Sequence, residues 1–323
     1  MKAIRFARTG GPEVLALEDI ELPPPRAGEI RIRHTAIGVN FIDTYQRSGL
    51  YPVPLASGLG LEGAGVVEAT GEGVTSFRAG DRAGYCTGPI GSYAEANNVP
   101  AERAVKLPAG VTDEIAAASL LKGMTAQYLL KRTYAAKAGQ TILFHAAAGG
   151  VGLIACQWAR AIGATMIGTV GSEEKAQLAR EHGCTHVINY RTEDFVARVK
   201  EITQGEGCDV VYDSVGKDTF PSSLDCLKPK GMWVSFGSSS GPVPPFDIAV
   251  LSAKGSLYAT RPTLMSYTAR RADLLANAAD LFDMVEKGAV KIMVNHTYPL
   301  REAAAAHRDL EARKTTGSVV LIP

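Results

Sequence analysis

The segment TILFHAAAGGVGLIACQWAR, residues 141–160, constrains the fold more than any other stretch of the chain. An apolar strand runs straight into Ala147-x-Gly149-x-x-Gly152 and on into an apolar helix. This is the order of a dinucleotide-binding turn, with alanine in place of its first glycine. Residues with little or no side chain let the backbone approach a pyrophosphate, and the helix N-terminus supplies unpaired N–H groups and a positive dipole end. A small-residue turn that serves only close packing has the same letters. The context favours the dinucleotide, because the match follows a strand, opens a helix and begins a strand–helix series.

That series continues with strands at Met166–Val170, His186–Asn189, Asp209–Asp213 and Met232–Phe236. Helices are expected from Glu173, over Asp194–Thr203 and over Thr219–Leu227. Such βαβ alternation predicts a parallel sheet covered by helices on both faces. The chain before about Gly110 has a different texture, rich in Gly and Pro with short alternating runs. In Glu29–Ile37, for example, Ile30, Ile32 and His34 face away from Arg31 and Arg33, the period of a half-buried strand. A helix is expected over DEIAAASLLKGMTAQYLLKR, residues 113–132, and two more over Tyr267–Lys287 and Arg301–Ala312 before a last strand, Ser318–Ile322. The apolar segment Gly255–Tyr258 reads as an exposed edge strand, and an unpaired edge invites a second copy, hence a homodimer.

Length and charge agree with this division. At about 100–200 residues per domain, 323 residues favour two domains. With 46% hydrophobic and 21% charged residues and a net charge of +1, the chain is not disordered, collagenous or coiled-coil, and it lacks the positive excess of a broad nucleic-acid or acidic-membrane surface. The five cysteines are odd in number and include no C-x-x-C pair, which indicates neither a disulfide framework nor a zinc knuckle. The opening MKAIRFARTGGPEVL has no continuous apolar core and no later run nears 18 apolar residues, so a reducing, cytoplasmic location is expected.

Cofactor type turns on the strand after the glycine turn. An NAD site usually has Asp or Glu at that strand's end for the ribose 2'-hydroxyl. Here the strand ends Val170-Gly171-Ser172, and Lys175 follows in the first turn of the next helix. Glu173 and Glu174 suit the helix dipole and Ser172 suits an N-cap, whereas Lys175 opposes the dipole and asks for an anion such as a 2'-phosphate. The plain alternative is a solvated lysine.

Together with GPEVL, GVNFIDTYQRSGLYP and AAGVTDEIAAASLLKGMTAQYLL, the glycine-turn segment resembles the zeta-crystallin-type quinone oxidoreductases of the medium-chain dehydrogenase/reductase superfamily, the bacterial NADPH-dependent ones above all. The resemblance runs from the first strand to the terminal GSVVLIP. It implies an α/β fold of two domains: a GroES-like β-rich catalytic domain from residues 1–125 and 262–323, and a Rossmann domain with a doubly wound parallel sheet, residues 126–261, for NADPH. It further implies that Asn40, Tyr45 and Tyr51 border the nicotinamide and the acceptor, and that Phe41, Ile42, Asp43, Thr44 and Tyr45 run beside the cofactor. Tyr128 would contact the cofactor from the bridging helix, and Gly149, Gly150, Val151 and Gly152 at the diphosphate turn. Gly171, Ser172, Lys175 and Tyr190 would surround the adenosine phosphate. Phe236, Gly237, Ser238 and Ser239 would meet the nicotinamide half, with Arg313 approaching from the C-terminal segment. Each has a plainer reading, as packing for the tyrosines, an ordinary Gly/Ser loop for FGSSSG and a helix C-cap for Arg313.

The superfamily's zinc alcohol dehydrogenases hold a catalytic metal with a Cys, the His of a G-H-E motif and a further Cys or Asp. This chain has Asn40 for the Cys and Leu61 for the His, in Gly60-Leu61-Glu62, and an aliphatic side chain cannot ligate zinc. No metal site is expected, and lone histidines such as His145 read as core. Without Lewis-acid help the substrate should accept hydride readily, as a quinone or a conjugated carbonyl does, with tyrosine offering a ring to stack and a hydroxyl to donate. The expected activity is therefore NADPH:quinone oxidoreductase. Alternatives are an NADPH-dependent alkenal or enone reductase and, in another class, an RNA-binding or crystallin-like role. The balanced charge and the lack of an aromatic-basic platform make a nucleic-acid partner unlikely.

Overall fold

The computed structural model describes all residues from Met1 to Pro323. Along the chain come β1 (Lys2–Phe6), β2 (Ala16–Asp19), β3 (Glu29–Val39), α1 (Phe41–Ser48), β4 (Ser57–Gly58), β5 (Glu62–Thr70), β6 (Arg82–Tyr85), β7 (Ala96–Pro100), β8 (Val105–Lys106) and α2 (Asp113–Tyr128). The middle of the chain adds β9 (Thr141–Phe144), α3 (Gly150–Ile162), β10 (Thr165–Val170), α4 (Glu173–Glu181), β11 (His186–Asn189), α5 (Phe195–Ile202), β12 (Cys208–Asp213), β13 (Leu227–Ser235), α6 (Ala249–Ala253) and β14 (Tyr258–Thr260). It closes with α7 (Leu264–Tyr267), α8 (Arg271–Glu286), β15 (Val294–Pro299), α9 (Ala303–Glu311) and β16 (Ser318–Ile322). Two compact units result: Met1–Met124 with Tyr267–Gly288 and Ile292–Pro323, and Thr125–Ser266 with Ala289–Lys291.

In the first unit β3 is the organising strand, pairing antiparallel with β5, β7 and β16. Its alternation buries Ile30, Ile32 and His34 as the sequence predicts. The ladder then skips a residue: His34 faces Gly65 and Ala36 faces Ala64, which leaves Thr35 as a bulge. Beyond it Ala36, Ile37 and Val39 are all buried, and the strand changes cores. Ile30 and Ile32 pack with Val67, Phe77 and Val99, whereas Ile37 and Val39 pack with Ile4, Phe6, Leu300 and Leu321.

The second unit is a parallel six-stranded sheet in the order β11-β10-β9-β12-β13-β14. From β9 the chain winds outward through β10 to β11 and then returns to lay β12 on the other side of β9. The direction of winding thus reverses between β9 and β12, the switch point of a doubly wound sheet and the place where such sheets open a crevice at their strand ends. The α/β class and the Rossmann-type sheet are as expected from sequence.

Three local expectations are corrected. The helix expected over Thr219–Leu227 is only a short 3-10 turn, Ser222–Cys226, because Ser223 and Thr219 turn inward to donate to the buried Asp213 carboxylate, and Leu227 already starts β13. The helix expected over Tyr267–Lys287 is broken. Thr268 is fully buried with its carbonyl accepting from Arg103 Nη1 at 2.8 Å, and α8 starts only after the extended Arg270. The edge strand expected at Gly255–Tyr258 begins at Tyr258, since Gly255 and Ser256 adopt positive φ of 108° and 56° and form the turn before it.

Three histidines lie in the cores and hold fixed tautomers. His34 donates from Nδ1 to Ala94 O (2.7 Å) and accepts the Tyr85 hydroxyl proton at Nε2 (3.1 Å). His307 accepts from Arg47 at Nδ1 (3.1 Å) and donates from Nε2 to the Tyr93 oxygen (3.0 Å). His145 accepts from Thr169 at Nδ1 (2.9 Å) and donates to Ser223 (3.1 Å), so it is a core residue as expected. Burial holds His34 down to about 4, His307 down to about 3 and His145 below the ordinary imidazole value near 6.5. Below about pH 6.5 the unfolded chain therefore binds protons that the folded chain refuses, and stability falls with pH. Asp43, which burial pushes up to about 7, works in the opposite sense between its ordinary value and 7, one group against three. The unfolding temperature should accordingly drop between pH 7 and pH 5, as calorimetry can measure, and a rise over that interval would contradict the linkage.

Candidate active site

In the second unit, β9 ends at Phe144 and the chain turns through Ala146, a non-glycine residue with φ +58°, into the N-terminus of α3, where Gly149 is the N-cap. Gly149 N donates to Ala146 O (3.0 Å), and Ala147 N donates to Thr169 O of β10 (3.1 Å), which ties the turn to the neighbouring strand. At Gly152 a Cβ would stand 2.5 Å from Ala146 O and 2.6 Å from Ala147 O, so only glycine lets the helix come this near the turn. The turn read from sequence is thus placed at the switch point, with Gly150 and Val151 in the first turn of α3.

At the end of β10, Ser172 caps α4 by accepting the Lys175 N–H at Oγ (3.3 Å). Glu173, in the first turn of α4, pairs with Arg180 at 2.7 Å. Lys175 is half-buried and Tyr190 is exposed. A Cβ on Gly171 would lie 2.6 Å from the Tyr190 hydroxyl and 3.6 Å from Arg191 Nε, so Gly171, Tyr190 and Arg191 converge. Sequence reasoning misses Arg191, which reads there as one more surface charge.

Phe236 to Ser239 follow β13 and are zipped to the loop after β12: Phe236 N donates to Asp213 O (2.8 Å), Ser239 N to Ser214 O (3.1 Å) and Ser240 N to Val215 O (2.9 Å). Arg261 grips the same loop, with Nη1 donating to Gly237 O (2.7 Å) and Ser235 Oγ (3.0 Å) and Nη2 to Ser238 Oγ (3.2 Å). Beneath them the Asp213 carboxylate, with no exposed surface, accepts from Val215 N, Gly216 N, Thr219, Ser223 and Trp233. Neither Asp213 nor Arg261 carries a sequence signal. Tyr128 is buried, at the end of α2.

In the first unit, Asn40 is the N-cap of α1 and forms a capping box with Asp43, whose Oδ2 accepts from Asn40 N at 2.8 Å. The helix carries Phe41, Ile42, Asp43, Thr44 and Tyr45 on successive positions. Phe41, Tyr45 and Tyr51 stack in series, with ring centroids 6.3 Å apart and tilted by 40°, then 5.2 Å apart and edge-on at 64°. Tyr51 N donates to Tyr45 O at 3.0 Å, which fixes the second step. Asp43 is fully buried and accepts from Tyr93 at 2.9 Å, so its side chain serves the core, and burial pushes it up to about 7. Arg313 follows α9 in a left-handed conformation, φ +58°, and is exposed. At the positions where the resemblance looks for zinc ligands, the Asn40 amide donates to Glu62 at 2.8 Å and Leu61 is buried. No three His, Cys, Asp or Glu side chains are grouped to hold a metal ion.

Comparison with known proteins matches residues 26–109 to the alcohol dehydrogenase GroES-like domain and residues 150–282 to the zinc-binding dehydrogenase family. A quinone oxidoreductase of Pseudomonas aeruginosa is 56% identical over 323 residues, covering 100% of this chain and 99% of that protein. A 2-haloacrylate reductase of a Burkholderia species is 48% identical over 98% of this chain and 97% of its own length. Among solved structures, Escherichia coli quinone oxidoreductase complexed with NADPH is 51% identical and superposes with a TM-score of 0.99 over 100% of both chains.

The glycine geometry predicts unequal effects of two alanines. Gly152→Ala meets two backbone oxygens and should destabilise by about 1–3 kcal/mol. Gly149→Ala, whose Cβ would be 3.3 Å from Ala146 O, should be the milder of the two. Thermal unfolding of both variants checks the order, and a Gly152→Ala protein as stable as wild type would refute it.

Proposed function

The chain belongs to the quinone oxidoreductase family of the medium-chain dehydrogenase/reductases, and from that premise we propose that it reduces quinones, or alkenes conjugated to a carbonyl, with NADPH and without zinc. The observation that carries the cofactor part is the end of β10, where the strand offers no carboxylate and Ser172, Lys175, Tyr190 and Arg191 gather instead. These residues fit a 2'-phosphate: a serine cap, a half-buried ammonium, a phenol and a guanidinium are all donors. The first turn of α3 fits the pyrophosphate, and the Arg261-held loop Phe236–Ser239 fits the nicotinamide half. When bound, NADPH supplies the hydride. The chain's own part is positioning: the half-buried Tyr51 would meet a planar acceptor with its ring and hydroxyl, the buried Tyr45 packs edge-on against it, and Asn40 fixes the turn that carries Tyr45. Zinc independence is supported by the residues at the expected ligand positions, Asn40 and Leu61.

Resemblance to the 2-haloacrylate reductase supports the alkene branch of the reading. Following NADPH oxidation with benzoquinones, naphthoquinones, alkenals, 2-haloacrylate and simple alcohols, before and after dialysis against a strong chelator, tests the whole. Oxidation only with alcohols, or activity lost to the chelator and restored by zinc, would sink it. No helix is long and apolar enough to cross a membrane. A cytoplasmic location belongs to the same reading, supported by five free, buried cysteines, and cell fractionation tests it.

A homodimer is part of the proposal as well, supported by the edge strand β14, whose Tyr258 is 60% exposed on a unit that also exposes Ile248 and Phe246. Sedimentation at micromolar concentration should give the mass of two chains, and the mass of one would count against it. For the cofactor, loss of a charge-assisted bond of roughly 1.5–3 kcal/mol means that Lys175→Ala should weaken NADPH binding by about ten- to a hundredfold. NADH binding should hardly change, and the discrimination should shrink as salt rises. Equal loss of both cofactors would make Lys175 a support of the loop.

A further inference from the structure

Glu62 lies at the start of β5 with no exposed surface, and its two oxygens accept three bonds. Oε1 takes the Leu121 N–H at 2.7 Å; Oε2 takes Asn40 Nδ2 at 2.8 Å and Lys122 Nζ at 3.3 Å. Lys122 is itself only 6% exposed, so the pair is buried at both ends. Gly38 makes the room, since a Cβ there would stand 2.1 Å from Glu62 Oε2 and 2.3 Å from Ala117 O.

Two consequences follow from the chemistry of the groups. An ionised carboxylate only accepts, so the amide of Asn40 must turn its nitrogen to Glu62, and a side chain whose two ends are nearly alike in shape acquires one sense. A buried ion pair is also seldom more stabilising than apolar side chains of the same shape, so stability alone does not account for it. What the anion does at this place is demand a donor from Asn40. Asn40 caps α1, and α1 carries Phe41 and Tyr45.

We propose that Glu62, paired with Lys122, is a positioning residue for the acceptor site, fixing the sense of the Asn40 amide and through its capping turn the placement of Tyr45. The proposal rests on the reading that Asn40, Tyr45 and Tyr51 border the acceptor. The ionisable groups that face the cluster are Lys122 of α2, Asp43 of α1, Cys86 after β6 and Tyr93; burial, with the charge of Glu62 adding to it, keeps Cys86 in its thiol form, and burial with the charge of Asp43 keeps Tyr93 a phenol. Lys122 is thus the cation that compensates Glu62.

The variants Glu62→Gln, Lys122→Met and Lys122→Arg separate the roles. In Glu62→Gln the side-chain amide can offer either of its ends, so Asn40 loses its fixed sense and kcat for a benzoquinone should fall about tenfold or more at every pH. Lys122→Met leaves the buried carboxylate without its cation and Oε2 without one of its two donors, so kcat should fall relative to wild type. Lys122→Arg should restore the wild-type kcat. In all three the Kd of NADPH, read by its fluorescence, should change by a smaller factor than kcat. The Asn40 side-chain amide in 15N–1H spectra of the cofactor-free protein gives the readout independent of catalysis. It should be slow to exchange in wild type and faster in both Glu62→Gln and Lys122→Met. An unchanged Asn40 signal in Glu62→Gln overturns the proposal, and does so even if Lys122→Met fails to fold. A changed Asn40 signal with unchanged kcat in Glu62→Gln overturns it by a different route, by showing that the Asn40 turn does not border the acceptor.

Discussion

A helix can present its free N–H groups at the end of a parallel sheet only if the connecting turn is short and nearly without side chains. Here the connection from β9 to α3 is five residues long, Ala147 and Ala148 among them are fully or almost fully buried, and the helix comes so near the turn that Gly152 has no room for a Cβ. The neighbouring strand takes part: Ala147 N is bonded to Thr169 O, and Gly168 of β10 leaves space in which the Ala147 methyl and the Cys184 thiol can lie. Ala146 holds a left-handed conformation that an alanine adopts at a cost of about 1 kcal/mol. Such a cost persists only where the surroundings over-determine the backbone, which this cradle of strand, turn and helix does.

The first unit solves a different problem, because its candidate side chains lie on a single short helix with no sheet end to hold them. α1 has eight residues, too few to be stable alone, so its placement comes from what grips it. Asn40 ties the first turn to Glu62. Asp43 ties the same turn to Tyr93, which continues through His307 to Arg47 further along α1. Arg47 closes the circuit on Glu311 with two bonds, at 2.6 and 3.1 Å, and on Gly10 O at 3.0 Å. Both ends of the helix are therefore fixed by buried polar bonds, and the aromatic series Phe41, Tyr45 and Tyr51 takes its place from them.

Much of this is legible in the sequence wherever one residue type has one physical use. Runs such as TILF and DVVYD give buried parallel strands, and the glycine turn gives the switch point, because in each case the letters describe a local requirement. The bulge at Thr35 has no such letter, since it depends on how β5 pairs, and past it the alternation of β3 loses its meaning. The Ser/Thr-rich stretch before Leu227 has helical spacing, but the inward pull of Asp213 on Thr219 and Ser223 outweighs a weak propensity. Glu62 is visible as part of Gly60-Leu61-Glu62 without any hint that it is buried. Lys122, in the middle of an alanine-rich helix, carries no mark in the sequence of the partner that Glu62 provides.

The two units share one device, a buried carboxylate that gathers donors from segments far apart in the chain. Glu62 collects Asn40 from the cap of α1 and both Leu121 and Lys122 from α2; Asp213 collects the loop after β12, the turn before β13 and the Trp233 indole. A carboxylate has about four acceptor sites and no donor, so each incoming group must be a donor and must arrive from a set direction. Apolar packing would hold the same segments together with equal or greater stability, but it tolerates small slides and rotations that a network of directed bonds does not. In the first unit the carboxylate so holds Asn40 and the first turn of α1, and in the second the loop at Val215–Gly216, beside the Ser214 and Val215 carbonyls that accept from Ser239 N and Ser240 N. With Asn40 and Leu61 at the positions where the resemblance looks for metal ligands, directed bonds to a buried anion are one way to set distances and angles there.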